Sequence, residues 1–144
     1  MIYFDTSFLV PFIVPEATSG AVTDFIHRLP LGELAISHWT VVEFASMLAC
    51  EVRMGRYDSD AFRAAVNRLA TVTSTSFIVF LPDAADYALA RDYLLRHETG
   101  LHGGDALHLA IAHHRRASTI YSLDNGLVKA GALLGLPVSR GILP

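Results

Sequence analysis

A chain of 144 residues with 52% hydrophobic and 17% charged residues has the composition of a folded protein, not a disordered one, and is long enough to bury roughly 70% of its surface around one core. The single cysteine, Cys50, excludes an internal disulfide and a cysteine-rich metal framework, and fits a reducing, cytoplasmic compartment. A net charge of −3 excludes an overall basic field for nucleic acid. The apolar start, MIYFDTSFLVPFIVP, carries Asp5 and is broken by Pro11 and Pro15, so neither a signal segment nor a membrane association is expected.

Taken in chain order, Ile2-Tyr3-Phe4 reads as a first strand. Thr18 to Leu29 reads as a helix stopped by Pro30, and Leu34-Ala35-Ile36 as a short strand. Ser37 is placed to cap a helix that runs to about Met54 and ends at Gly55. A further helix starts near Ser59 and is expected to fade in the Thr/Ser-rich stretch 71–76. Phe77 to Phe80 is a β run, Pro82-Asp83 opens a helix ending at Gly100, and Gly103-Gly104 precedes a helix to about Arg116. Thr119-Ile120-Tyr121 is a strand, Asn125 to Leu134 a last helix, and Val138 the start of a final short strand. No internal repeat or linker is visible. The alternation predicts a single domain over residues 1–144, of α/β class: a short, mainly parallel sheet covered by helices on both faces, three layers in all. In such sheets the functional crevice lies beyond the carboxyl ends of the strands.

Four of the 14 acidic residues stand apart from other charges. Asp5 is the only charged side chain in residues 1–15, Glu43 in 34–50, Asp105 in 99–114 and Asp124 in 117–128. An isolated carboxylate in apolar sequence is costly to bury without compensation. Asp5 and Asp124 follow strands; Asp105 opens a helix after two glycines. Glu43 lies about one turn into its helix, with Trp39 at i−4 and Met47 at i+4. If that helix packs over the strand ends, the four acids meet in one cleft. Meeting acids raise one another's pKa, and Mg²⁺ or Mn²⁺ relieves this with hard oxygen ligands, leaving positions for phosphate oxygens. That chemistry is phosphodiester hydrolysis. The plainer readings make Asp5 a helix cap helped by Thr6 and Ser7, Asp105 a first-turn acid, and Asp124 part of an Asp-Asn-Gly turn; Glu43 caps nothing.

The runs YFDTSFLV, TVVEFASML, GGDALHLAIA and YSLDNGLVKAG resemble the four acidic signatures of the PIN domain, and their order and spacing are similar to those of the VapC toxins of type II toxin–antitoxin systems, over about residues 1–140. By position, the resemblance places the family's acids on Asp5, Glu43, Asp105 and Asp124. It places the hydroxyl beside the first acid on Thr6 or Ser7 and the one two before the last acid on Ser122. It implies a PIN-like sheet and a Mg²⁺-dependent (or Mn²⁺-dependent) endoribonuclease acting on structured or translational RNA. Asp5 and Asp105 would be the main metal ligands, Asp124 would complete the set, and Glu43 would orient water or a second metal. It further implies a cognate VapB-like antitoxin and a homodimer. One departure is Leu127, where members often carry an aromatic; this bears on packing of the last helix.

Other residues have two readings each. His108 shares a helical face with Asp105, so it either orients that carboxylate or touches RNA, or it is a core or boundary histidine. His102 is placed in the loop before Asp105. No HExxH or paired-Cys spacing exists, so zinc is not indicated. His113-His114-Arg115-Arg116 either complements the helix dipole or contacts phosphate, and Arg53, Arg56 and Lys129 are RNA-binding candidates. Cys50 reads as core or interface. Phe8, Phe12, Phe25, Trp39 and Phe44 are mostly core, with an excess suited to an antitoxin segment or dimer partner. Two other functions stay open. A haloacid-dehalogenase-type phosphatase would use Asp5 as nucleophile but wants an acid at position 7, where the chain has Ser7. An inactive PIN-like binding module has no reason to keep four uncompensated acids.

Overall fold

Strand β1 (Ile2–Phe4) is buried along its whole length. Ile2 and Phe4 enter one hydrophobic cluster and Tyr3 enters another, because successive side chains of a strand point to opposite faces. The same alternation runs through β2 (Leu34–Ser37), where Leu34 and Ile36 oppose Ala35, and β4 (Thr119–Tyr121), where Tyr121 opposes Ile120. With β3 (Ile78–Phe80) and β5 (Val138–Ser139) these strands form a sheet of order β3-β2-β1-β4-β5. Every pairing is parallel, with Tyr3 level with Ala35 on one side and Ile120 on the other. Near-continuous apolar strands are what a sheet covered on both faces requires. The computed structural model describes residues 1–142, so the last two residues of the span assigned to the domain lie outside the described residues.

Helices α1 (Thr6–Ile13), α2 (Ser19–His27), α3 (His38–Arg53) and α4 (Ser59–Ser76) cover one face. They contribute Phe8, Leu9, Val22, Ile26, Phe44, Leu48 and Leu69 to the first cluster. Helices α5 (Ala84–Leu95), α6 (Gly103–His114) and α7 (Asn125–Leu133) cover the other, with Ala90, Tyr93, Leu107, Leu109, Ile111 and Leu127. The three-layer α/β/α fold expected from the strand–helix alternation is the one observed. Leu127 is fully buried in the second cluster, so the departure at that position is absorbed by packing.

Three local expectations are corrected. Helix α4 does not fade at 71–76 but continues to Ser76. There Thr73 donates to the Ala70 carbonyl at 3.1 Å, and Ser74 and Thr75 donate to the Thr71 carbonyl at 2.9 and 2.8 Å. The hydroxyls thus bond back onto the preceding turn without breaking it. Helix α5 stops at Leu95 instead of reaching Gly100; a separate 3₁₀ turn, His97–Thr99, follows and is closed by Gly100 at φ 69°. Gly103 and Gly104 lie inside the first turn of α6 and do not merely precede it. Helix α1 forms directly after Asp5 despite Pro11; its apolar residues are too dense to show a 3.6-residue period. Among the described residues no helix is long and apolar enough to cross a membrane.

Candidate active site

All five strands being parallel, their carboxyl ends face one side, and β1 and β4 deliver their following loops as neighbours. Asp5, just past β1, caps α1: its Oδ1 accepts from the Phe8 amide at 3.1 Å. The Ser7 hydroxyl donates to its Oδ1 at 2.8 Å, and the Ser122 hydroxyl, just past β4, to its Oδ2 at 2.7 Å. The same two hydroxyls receive amides of the β4–α7 junction. Ser7 Oγ accepts from Leu123 at 2.8 Å and from Asp124 at 3.2 Å; Ser122 Oγ accepts from Asp124 at 3.0 Å. Asp124 in turn caps α7 through Oδ1, to the amides of Gly126 at 2.6 Å and Leu127 at 3.1 Å. The helix-cap reading of Asp5 therefore holds as local structure, Asp124 is a helix cap where a turn was expected, and the Ser7 and Ser122 hydroxyls bring the two junctions together. Burial holds the Asp5 carboxyl above its ordinary range, against the opposing pull of the His108 ring and the Ser122, Ser7 and Phe8 bonds.

Glu43 projects from α3 with its side chain 28% exposed. Its Oε2 receives the Thr6 hydroxyl at 2.5 Å and lies 2.6 Å from His108 Nε2. Burial pushes this carboxyl up, but the His108 bond and charge, with the Thr6 hydroxyl, outweigh it and hold Glu43 below its ordinary range. Thr6 and Ser7, adjacent in sequence, thus serve different acids. His108 is buried on α6 and bonds Glu43, not Asp105. It is the core histidine of the plainer reading, and the carboxylate it bonds is Glu43, where the helical face had pointed to Asp105.

Asp105 sits in the first turn of α6, with the exposed His102 ring 3.8 Å away. Burial first, and then the charges of Asp124 and Glu43, raise its carboxyl above the ordinary value. The three acids are therefore near enough to repel. No Lys or Arg among the described residues pairs with any of the four acids; their ion-pair partners are His108 and His102.

Oxygen donors without a basic counter-charge suit Mg²⁺ or Mn²⁺, and the cap bonds of Asp124 engage only its Oδ1. Among the described residues, however, no three His, Cys, Asp or Glu side chains are disposed to hold a metal ion as they stand. Asp5, Glu43 and Asp124 are all turned into hydrogen bonds with the protein.

Several of the other candidates are already engaged, while Lys129 is exposed on α7. Arg56 is paired with Glu51 at 2.5 Å. His114 lies 2.7 Å from the fully buried Asp86, Arg115 is 3.5 Å from the same carboxyl and stacks over Phe80, and His113 bonds Tyr93. Three residues of this run therefore tie α6 to α5. Arg53 lines an apolar groove with Ala49, Val52 and Phe62, and Cys50 is half-buried on α3. Another apolar groove, beside α4, is lined by Ile13, Pro15, Tyr57 and Ala65. Sequence reasoning missed Tyr3 and Gly104. Tyr3 is fully buried and its hydroxyl bonds Ser37 and His108; the signal was that a buried phenol must find a partner. A Cβ on Gly104 would strike Glu43 Oε1.

The chain is similar in structure to VapC20 of Mycobacterium tuberculosis, described as a sarcin–ricin loop cleaving toxin, at 23% identity and a TM-score of 0.74, with 100% of both chains covered. It is similar to FitAcB of Neisseria gonorrhoeae at 21% identity and 0.73, covering 98% of each chain. It also resembles a chain of a toxin–antitoxin complex from Klebsiella pneumoniae at 20% identity and 0.66, covering 100% of each. These likenesses carry the fold. No curated protein matches the sequence. The PIN domain family model matches residues 2–133, a span that holds all five residues bonded around Asp5 and Glu43 as well as Asp105 and Asp124, and the chain belongs to the PIN domain family.

Proposed function

We propose that this chain is a divalent-metal-dependent endoribonuclease toxin, held silent by a VapB-like antitoxin and acting as a cytoplasmic homodimer on structured or translational RNA. One observation carries the reading: Asp5, Glu43, Asp105 and Asp124 stand at the same end of the sheet with no Lys or Arg among the described residues paired to them. Positive charge from outside relieves such a set, and a divalent metal supplies it while leaving positions for RNA phosphate oxygens. The description of VapC20 as an RNA-loop-cleaving toxin, and the toxin–antitoxin complex among the structural relatives, support the same assignment.

Asp5, Asp105 and Asp124 would hold Mg²⁺ or Mn²⁺, which activates water and offsets charge on the leaving oxygen. The protein's own part is to present the acids. Ser7 and Ser122 fix Asp5, Asp124 is anchored through its amide, and Glu43 stays ionised beside them to orient water. Cleavage by water leaves 5′-phosphate and 3′-hydroxyl ends. An antitoxin segment would cover the apolar grooves along α4.

The phosphatase alternative needs Asp5 as a nucleophile. It also needs an acid at position 7, which holds a serine that donates to Asp5. Incubation with a structured RNA in Mg²⁺ or Mn²⁺ should give cleavage that EDTA stops and Asp5→Ala or Asp105→Ala abolishes. Undiminished cleavage by the purified double variant rejects the site assignment.

A further inference from the structure

His108 is 1% exposed, yet both ring nitrogens are in polar contact. Nδ1 lies 2.9 Å from the Tyr3 hydroxyl, and that hydroxyl donates to Ser37 Oγ at 2.9 Å. A carboxylate can only accept, so the ring carries a hydrogen on Nε2, facing Glu43, an assignment made from the hydrogen-bond network. Nε2 lies 2.6 Å from Glu43 Oε2, whose other donor is the Thr6 hydroxyl at 2.5 Å. A continuous file of bonds, Ser37–Tyr3–His108–Glu43–Thr6, runs from the end of β2 through the central strand and α6 to α3 and the start of α1. The other carboxylate oxygen, Oε1, lies outside this file. It occupies the space above Gly104 that a Cβ would fill, with the Trp39 ring 3.6 Å from the same point. Asp105 is the next residue.

We propose that His108 is a positioning residue for Glu43: it takes up Oε2 and so turns Oε1 outward over Gly104, beside Asp105, while Tyr3 and Ser37 lock the ring. The assignment rests on the nuclease reading for its consequence but not for its geometry. Partners of this kind, one bond removed from the reacting groups, are worth about 10–100-fold in activity. The tethering also explains why Gly104 has no side chain.

Two measurements test this on the full chain. In ¹H–¹⁵N spectra of the histidine rings without metal, His108 should give slowly exchanging ring N–H signals that Glu43→Gln shifts and Asp124→Asn leaves in place. In Mn²⁺-dependent cleavage of a structured RNA, His108→Leu should lower kcat about 10–100-fold with KM unchanged, and His108→Gln, which keeps a donor toward Glu43, should recover part of the loss. Tyr3→Phe, which fills the same space, should lower kcat about tenfold and serves if His108→Leu does not fold. A ring spectrum indifferent to Glu43→Gln, or an unchanged kcat in Tyr3→Phe, overturns the assignment. If the wild-type chain cleaves no RNA while the Glu43-dependent spectrum is present, the nuclease reading falls and the positioning of Glu43 stands.

Discussion

The hydroxyl of Ser122 donates to Asp5 Oδ2 at 2.7 Å, across 117 residues of sequence. It also accepts the Asp124 amide at 3.0 Å, so one small side chain fixes the first acid and the backbone of the last. Ser122→Ala should leave both groups under-bonded inside the protein and cost about 1–3 kcal/mol. Urea unfolding reads this directly. The Asp5 carboxyl, already raised by burial, should rise further, since Ser122 is one of the bonds that lowers it.

Stability should depend on pH in a direction set by Asp5 and Asp105. Both carboxyls are raised above the ordinary value in the folded chain, so the native state binds more protons than the unfolded chain just above that value. Unfolding free energy therefore falls as pH rises from the ordinary aspartate range through the raised pKa values. Without divalent metal, thermal unfolding followed from pH 4 to pH 8 should show this loss, and Asp105→Asn should flatten it. A wild-type profile that instead gains stability over the same window contradicts the burial and repulsion described for these two acids.

Metal should reverse that penalty. Mn²⁺ at about 100 times its dissociation constant adds about 2.7 kcal/mol to the folded state, or about 5–10 °C in Tm. The shift should vanish with EDTA and in Asp105→Ala. An equal shift in wild type and variant places the ion elsewhere.

Two neighbouring glycines should respond oppositely to a methyl group. A Cβ at Gly103 meets nothing within 4 Å, so Gly103→Ala should stabilise α6 by about 0.5–1 kcal/mol. A Cβ at Gly104 strikes Glu43 Oε1, so Gly104→Ala should cost about 1–3 kcal/mol and displace that carboxylate. Differential scanning calorimetry separates the two signs, and RNA cleavage should fall only in Gly104→Ala.

Phe8 connects the core to the site. It is fully buried, packed against Phe4, Phe25 and Tyr121, and its amide bonds Asp5. Phe8→Ala should cost about 3–5 kcal/mol, measured by urea unfolding, and should weaken metal-dependent stabilisation through the loosened start of α1.

The sheet was legible because each strand is a short apolar run closed by turn or cap residues, and Ser37 was placed correctly as the cap of α3. The acids were legible because a lone charge in apolar sequence is expensive unless something answers it. What answers them was not legible. The bond from His108 to Glu43 joins residues 65 apart on two helices, and a helical pattern within α6 offers only Asp105 as its neighbour. The end of α4 was misread because serine and threonine compete with the helix backbone in some contexts and bond back onto it in others. The basic run at 113–116 looked available for phosphate only because the buried Asp86 that engages His114 and Arg115 lies on another helix.

Since β1 is the middle strand, flanked by β2 from early in the chain and β4 from late in it, Asp5 is translated first but finds its serine partner only after residue 122 has been made. Folding that proceeds from the N-terminus during synthesis leaves the first acid waiting for nearly the whole polypeptide. A partly made chain therefore lacks the Asp5–Ser122 bond until residue 122 has been added.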